Sequence, residues 1–406
     1  MSAKACEAGL AQEQVLAAGE NALQGAGDAC ADRRSAVATD SAARSDADGT
    51  GRGGAKTAAP VGEGAVRDAA CDTAARDAAR TANQYGRVSE LRLTARARDG
   101  RTVVPETYCT QPFKIMHPFS VEVAELPGLR TTSPDAAGEP PRAGDPLPAQ
   151  TLSAAEPAQL MVMTVSAGIM AGDRQRIDVS VEPGAALQMT TQSFEKIHRM
   201  DDGGDAERRT SLSVAPGAYL DYSPLPQIPF AGSSFSSVTE ADLADETSQL
   251  VYGEILSCGR VARGERFAYR AYRNRVRICV DGRPVFIDNT VYEPGGMRFG
   301  GPIDMERLGF YEGFTHLANL VFVNIDISQE RFVTIRDYLR EQTGIIGASA
   351  APVSALHGGE EVDLASSESV AGGITRLDSG DCAVKLLGHR AQRLQEILSE
   401  VRRMVG

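Results

Sequence analysis

Through the middle of the chain, apolar and polar positions alternate with a period of two. Runs at 161–165, 176–181, 187–191, 211–214, 249–252, 266–270 and 275–280 place Val, Ile, Leu, Met, Phe or Tyr on alternate positions or in short clusters. Each is bounded by Gly, Pro, Asp or Asn, which predicts strands joined by tight turns. Asp281-Gly282, between two such runs, predicts a hairpin, because a primed two-residue turn needs positive φ. One pattern recurs as V-x-P-G-A-x-L: Val181, Pro183, Gly184, Ala185 and Leu187, then Val214, Pro216, Gly217, Ala218 and Leu220. A degenerate third copy spans 243–250. Repetition at a few tens of residues predicts stacked strand–turn–strand units, each covering its neighbour's apolar face. The expected fold is therefore mainly β: an irregular right-handed β-superhelix of many short strands. A two-sheet sandwich is the alternative.

Helical spacing appears near the C-terminus. Phe332, Ile335 and Leu339 share a face over 328–343, with Ser328 as cap and Gly344 as stop. Leu394, Ile397, Leu398 and Val401 stand at i, i+3, i+4 and i+7, predicting an amphipathic helix over 388–404. Two C-terminal α-helices are thus expected.

Composition divides the 406 residues. Residues 1–88 are mostly Ala, Gly, Asp, Arg and Ser, with too few large apolar side chains to offset the entropy of ordering; a disordered tail is expected. The body then spans 89–406. Within it, 131–157 carries Pro134, Pro140, Pro141, Pro146, Pro148 and Pro157 and reads as a disordered surface insert. A polar stretch at about 348–373 separates the two helical patterns.

The net charge of −12 argues against sequence-independent nucleic-acid binding, which needs clustered cations. No apolar run reaches about 18 residues, so no membrane span is expected, and no apolar leader is evident. Seven cysteines at irregular spacing predict free thiols in a reducing cytoplasm. The chain has no G-x-x-x-x-G-K-[ST], C-x-x-C, H-E-x-x-H, H-x-x-H or G-x-S-x-G motif, and His117, His198, His316, His357 and His389 are isolated. No enzyme and no stable metal site is expected.

Four segments carry more Gly, charge and aromatic residues than strands require. They are 166–173 with Gly168, Gly172 and Asp173; 190–199 with Gln192, Glu195, Lys196, His198 and Arg199; 221–230 with Pro224, Pro226, Pro229 and Phe230; and 252–267 with Glu254, Leu256, Cys258, Gly259, Arg260, Gly264, Glu265 and Phe267. At these residues the chain closely resembles the urease accessory protein family UreD, called UreH in one branch. That family carries a G-D turn, a T-T-Q-x-x-x-K-x-x-R strand, a Pro-rich segment ending in P-F, and an E-x-L-x-x-G-R-x-x-x-G-E-x-F block, in this order. Pro112-Phe113-Lys114, Asp288-Asn289-Thr290, 314–317 and 319–321 agree as flanks. Ala167-Gly168 stands where the family's usual G-G lies, and Tyr222 where it often has tryptophan, both as in the UreH branch.

The resemblance implies a superhelical β fold with two helices, and a scaffold or chaperone for urease maturation. Its implied partners are UreF, the GTPase UreG, the urease apoprotein and, indirectly, UreE, in a hetero-oligomer or a dimer of complexes. GTP would be used by a partner, and nickel would be in transit with no tightly bound cofactor. Carboxylates hold nickel less tightly than imidazole or thiolate. Asp173, Glu195, Glu254 and Glu265 are accordingly candidate nickel-passage residues. The competing reading is that Asp173 closes a turn and the glutamates pair with Lys196, Arg260 and Arg266. Gly168, Gly172, Gln192, Lys196, Gly259 and Arg260 are expected to organise loops, with Cys258 and His198 as subsidiary metal candidates. A structural β-module with no metal role, or a β-helical carbohydrate-active protein, is the alternative function.

Overall fold

The computed structural model describes residues 88–121, 126–129, 155–201, 203–298, 301–307, 309–343 and 368–406. Almost all of the expected tail and of the expected insert, and the Gly344 stop, lie outside them.

Twenty strands and two helices follow one another along the described chain. One sheet has seven strands, in the order β15 (Arg283–Tyr292), β14 (Ala271–Val280), β12 (Ser234–Leu243), β9 (Ala206–Val214), β6 (Arg174–Val181), β1 (Ser89–Arg98) and β2 (Arg101–Cys109). The main path of the second runs β19 (Val370–Arg376), β20 (Cys382–Gly388), β18 (His316–Val323), β13 (Gln249–Ser257), β10 (Tyr219–Tyr222), β7 (Ala186–Thr191), β5 (Ala158–Thr164) and β3 (Phe113–Ile115). Three short strands lie off that path: β4 (Phe119–Ser120), β8 (Glu195–Ile197) and β11 (Gln227–Pro229). A separate pair joins β16 (Met297–Arg298) to β17 (Gly301–Pro302).

The central strands of both sheets run parallel, as successive coils of a β-solenoid of about four turns. Inward side chains stack in rungs, for example Leu93, Val179, Leu212, Ala241 and Ile278. The V-x-P-G-A-x-L echo falls on equal rungs. Val181, Val214 and Leu243 align in one sheet, and Leu187, Leu220 and Leu250 in the other. Between them Gly184 and Gly217 take φ of 73° and 68°, so each coil turns its corner in the same way. The expected superhelix is what forms. A sandwich is built from antiparallel pairs, and these ladders are parallel.

The stack ends in antiparallel pairing. Asp281 and Gly282, at φ of 48° and 70°, make the hairpin that adds β15 to β14. Strand β18 pairs antiparallel with β13, then β20 with β18 and β19 with β20. Every residue of β18 is buried, because one face looks into the solenoid and helices cover the other. Those helices are α1 (Gln329–Gln342), capped by the Ser328 hydroxyl accepting from the Arg331 N–H, and α2 (Ala391–Val405). Ile335, Leu339, Leu394, Ile397, Leu398 and Val401 pack on Ala318, Leu320 and Phe322.

Two details differ from the pattern reading. Residues 266–270 alternate like a strand but form a loop, where Phe267 takes φ of 48°. Their alternation serves a third core instead, in which Phe267 and Tyr269 pack on Tyr272 and Tyr311. The polar stretch at about 348–373 ends inside β19, whose Gly372 and Gly373 conceal the strand from a reading by apolar period.

Candidate functional site

Each of the four motif segments leaves its own coil on the same side of the solenoid, and together they form one wall. The Ile169 N–H donates to the Lys196 carbonyl at 2.8 Å, and the His198 N–H donates to the Ile169 carbonyl at 2.8 Å. Strand β8 then pairs parallel with β11, placing Ile197 beside Pro229. The Ala231 N–H donates to Glu265 Oε2 at 3.2 Å, and the Arg260 guanidinium lies 4.0 Å from the Phe230 ring centroid. Gly168 is required by this packing. A Cβ there would stand 2.3 Å from the Lys196 carbonyl oxygen. Gly259 is held similarly, 2.8 Å from the Glu265 carbonyl oxygen, and both have φ near 140°.

Most candidate residues in this wall organise it. Asp173 Oδ2 accepts from the Met170 N–H at 2.8 Å and closes the G-D turn, beside Gly172 at φ of 84°. Glu265 receives Arg260, Nε at 2.8 Å, and the guanidinium beside it lowers its pKa. The side chain of Gln192 is exposed, while its N–H donates to the Val162 carbonyl at 2.9 Å. Lys196 is half-buried and contributes its carbonyl to Ile169. His198 donates from Nε2 to the Ala167 carbonyl at 2.8 Å and meets Phe230 edge-on. Burial pushes the Cys258 thiol up to about 11, so it stays protonated at neutral pH and is a poor ligand.

The other two candidate carboxylates point inward. Glu195 pairs with Arg208 and not with Lys196; that guanidinium is itself buried and also donates from Nε to Gln175 Oε1 at 3.0 Å. Among the described residues, no cation pairs with Glu254. Its Oε2 accepts from the Tyr252 hydroxyl and from Asn274 Nδ2, each at 2.9 Å, and its Oε1 accepts from Asn319 Nδ2 at 2.7 Å. Burial raises its pKa, against the lowering effect of those three donors. Protein surrounds this carboxylate, yet the side chain is only half-buried because it lines a recess.

This small recess is lined by Gln227, Glu254, Tyr272, Asn274 and Asn319 with Ile255, Leu256 and Leu317. Its enclosed part holds roughly one water molecule. Gln227 links the two inward carboxylates: it stands beside Glu195 in the β8–β11 ladder and accepts from the Tyr272 hydroxyl at 2.9 Å. On the other side, Asn319 Nδ2 lies 3.4 Å from Asp288 Oδ2. A line of oxygen-bearing side chains therefore runs from Glu195 through Gln227 and Glu254 to Asp288. Among the described residues, no group of three or more His, Cys, Asp or Glu forms a metal-holding cluster.

Pattern reading gave no role to Asn274, Asn319 or Asp288. A usable signal existed in Asn319, a polar residue inside the apolar run of β18. Asn274 interrupts β14 in the same way, and a buried amide needs partners. The tie from Glu254 to Asp288 crosses between the two sheets, so it has no signature in local sequence.

The sequence matches the family model described as "UreD urease accessory protein" over residues 87–405. This chain belongs to that family. It is 32% identical over 323 residues to the urease accessory protein UreD of Acetivibrio thermocellus, covering 80% of this chain and 99% of that protein. It is 34% identical over 267 residues to the urease accessory protein UreH of Helicobacter pylori strain G27, covering 66% of this chain and 84% of the relative. Membership in the UreD family carries an accessory role in urease maturation, as distinct from catalysis. No described helix is long and apolar enough to cross a membrane.

One further group near this wall titrates in an accessible range. His316, at the start of β18, is buried, and its Nδ1 lies 2.8 Å from the Thr315 hydroxyl. Burial lowers its pKa from 6.5 to about 4, partly offset by a hydrogen bond that the imidazole donates to the His389 backbone carbonyl. The folded state thus disfavours the protonated imidazole. Stability is complete above the unfolded value of 6.5 and falls as pH drops towards about 4, by about 3 kcal/mol in all. Urea titrations at pH 7 and pH 4.5 should show this loss, and His316→Asn should flatten the difference; an equally steep fall in the variant would assign it elsewhere.

Proposed function

We propose that this UreD family member is a docking platform for urease maturation, and that nickel moves along its internal polar line on the way to urease. The platform binds the urease apoprotein and the UreF–UreG pair in the cytoplasm, with GTP hydrolysed by the partner. UreE acts upstream as an indirect contributor. The single observation that supports the passage is Glu254: an enclosed carboxylate, held by two amides and a phenol, with no cation paired to it among the described residues.

The chemistry suits transit better than storage. A buried carboxylate without a counter-charge is electrostatically unsatisfied, so a passing divalent ion relieves it. The neighbours Gln227, Asn274 and Asn319 add carboxamide oxygens, which are hard and weakly binding for nickel. Neither Cys258 nor His198 borders the recess, so no soft ligand is there to trap the ion. Glu195 extends the line inward. Asp173 and Glu265 are held by turn and guanidinium, and act by shaping the wall through which partners and line meet.

In a reconstituted system with urease apoprotein, UreF, UreG, GTP and nickel, Glu254→Gln should lower the nickel content of urease about tenfold, while co-purification of the complex stays unchanged. Asp173→Asn serves as the control outside the line. Full nickel loading with Glu254→Gln would remove the passage from this reading.

A further inference from the structure

Three residues of the second sheet stand on a single rung. Glu254 of β13 is opposite Asn319 of β18, which is opposite Lys385 of β20. Directly opposed residues in a ladder project to the same face, so all three look towards the first sheet. From that sheet, Asp288 of β15 meets them. Lys385 Nζ lies 2.9 Å from Asp288 Oδ2, the same oxygen that Asn319 approaches at 3.4 Å. The path from Lys385 to Glu254 therefore runs through one carboxylate, Asp288, and one amide, Asn319.

The two ends of this path differ. Asp288 is largely covered, with a side-chain exposure of 18%, whereas Lys385 is 56% exposed. A lysine on that footing forms a weak pair: water and salt compete for it, and its four-carbon stem reorients freely. Space for reorientation is present. Gly373 faces Lys385 across the β19–β20 ladder, and nothing lies within 4 Å of where its Cβ would be. Meanwhile Glu254, deeper in, has neutral donors alone. The ammonium thus sits against this acidic line at its outer end, paired with Asp288.

We infer that Lys385 is a tethered stand-in cation, which latches the mouth of the Glu254 recess and gives up its place at Asp288 to a divalent metal ion. The inference rests on the proposed passage and adds to it a means of release. When a divalent ion reaches Asp288, the ammonium swings to solvent, over Gly373. As the ion moves on, the ammonium returns and restores the charge balance, so the carboxylates never face the interior without a counter-charge at the mouth. The latch weakens binding on purpose: the ion must displace a covalently attached competitor, and the competitor's return favours departure.

The test is nickel binding by the full-length protein alone, followed by calorimetric titration with nickel chloride at low ionic strength. Lys385→Met keeps the stem and removes the charge; it should bind nickel about tenfold more tightly than wild type, because the competitor is gone. Lys385→Arg keeps a cation and should bind as wild type does. Asp288→Asn placed on Lys385→Met should cancel the gain. In the reconstituted system, Lys385→Met should leave more nickel on this chain and less on urease. A wild-type nickel affinity in Lys385→Met, with an unchanged melting temperature, overturns the latch. That result is separable from failure of the passage itself, which shows as full urease loading by Glu254→Gln whatever the titration of the lysine variants gives.

Discussion

Arg402→Met should destabilise the protein by about 3–5 kcal/mol, because it leaves a buried carboxylate without its counter-charge. Asp221, on β10, has no exposed surface, and Arg402 of α2 reaches it from outside the solenoid, Nη1 to Oδ2 at 2.6 Å. The other donors are neutral: Ser223 Oγ at 2.5 Å and Gln188 Nε2 at 3.1 Å. A second Arg402 nitrogen donates to the Ser223 hydroxyl, so the guanidinium ties the helix to both Asp221 and Ser223. With methionine there, the carboxylate has amide and hydroxyl donors but no positive charge. The melting temperature should fall on the order of 10 °C, and α2 should become the first site of proteolysis. Asp221→Asn added to Arg402→Met should recover part of the loss. A melting temperature within about 2 °C of wild type in the single variant would mean that helix packing alone, and not the ion pair, holds α2.

Gly168→Ala should cost about 4 kcal/mol, the sum of an unfavourable backbone region and a clash that cannot relax. The φ of 141° is one that a residue with a Cβ rarely adopts, and the clashing atom is the Lys196 carbonyl oxygen at 2.3 Å. That oxygen accepts from the Ile169 N–H, so moving it away breaks the bridge between the first two motif segments. Gly264→Ala provides the comparison. It too has positive φ, 75°, but nothing lies within 4 Å of the added carbon, and its cost should be about 1 kcal/mol. Denaturant titration of the two variants measures the difference. Equal costs would show that the wall at Gly168 is loose enough to move aside.

The superhelix was legible because it repeats. Pro183-Gly184 and Pro216-Gly217 mark the same corner of successive coils, and a local motif that recurs needs no long-range information to be read. The hairpin at Asp281-Gly282 and the helix cap at Ser328 are local in the same sense. Residues 266–270 misled for the opposite reason: their alternation is real, but Phe267 has positive φ and the loop sends its aromatics into a separate core. Strand β19 stayed hidden behind its two glycines. In the candidate site, the resemblance pointed to Glu254, but its partners come from β14 and β18, distant in sequence. The competing reading for Glu195 pairs it with its neighbour Lys196; in a strand, adjacent residues project to opposite faces, and Arg208 from the next coil takes the partner's place. Contacts between coils depend on which rungs align, and that is fixed only when the whole stack assembles.

The change of strand direction at β18 limits how this architecture can grow. A parallel ladder offers an open edge on which another coil, or another molecule, could be templated. Here β18 lies against β13 in the reverse sense, and the β14–β15 hairpin finishes the other sheet. Lengthening the protein by tandem duplication therefore has to occur in the interior, between β6 and β12, where each new coil finds parallel neighbours on both sides. Duplications that reach either terminus of the stack would separate the seal from what it seals, so coil number is set by the closing elements rather than by the repeat.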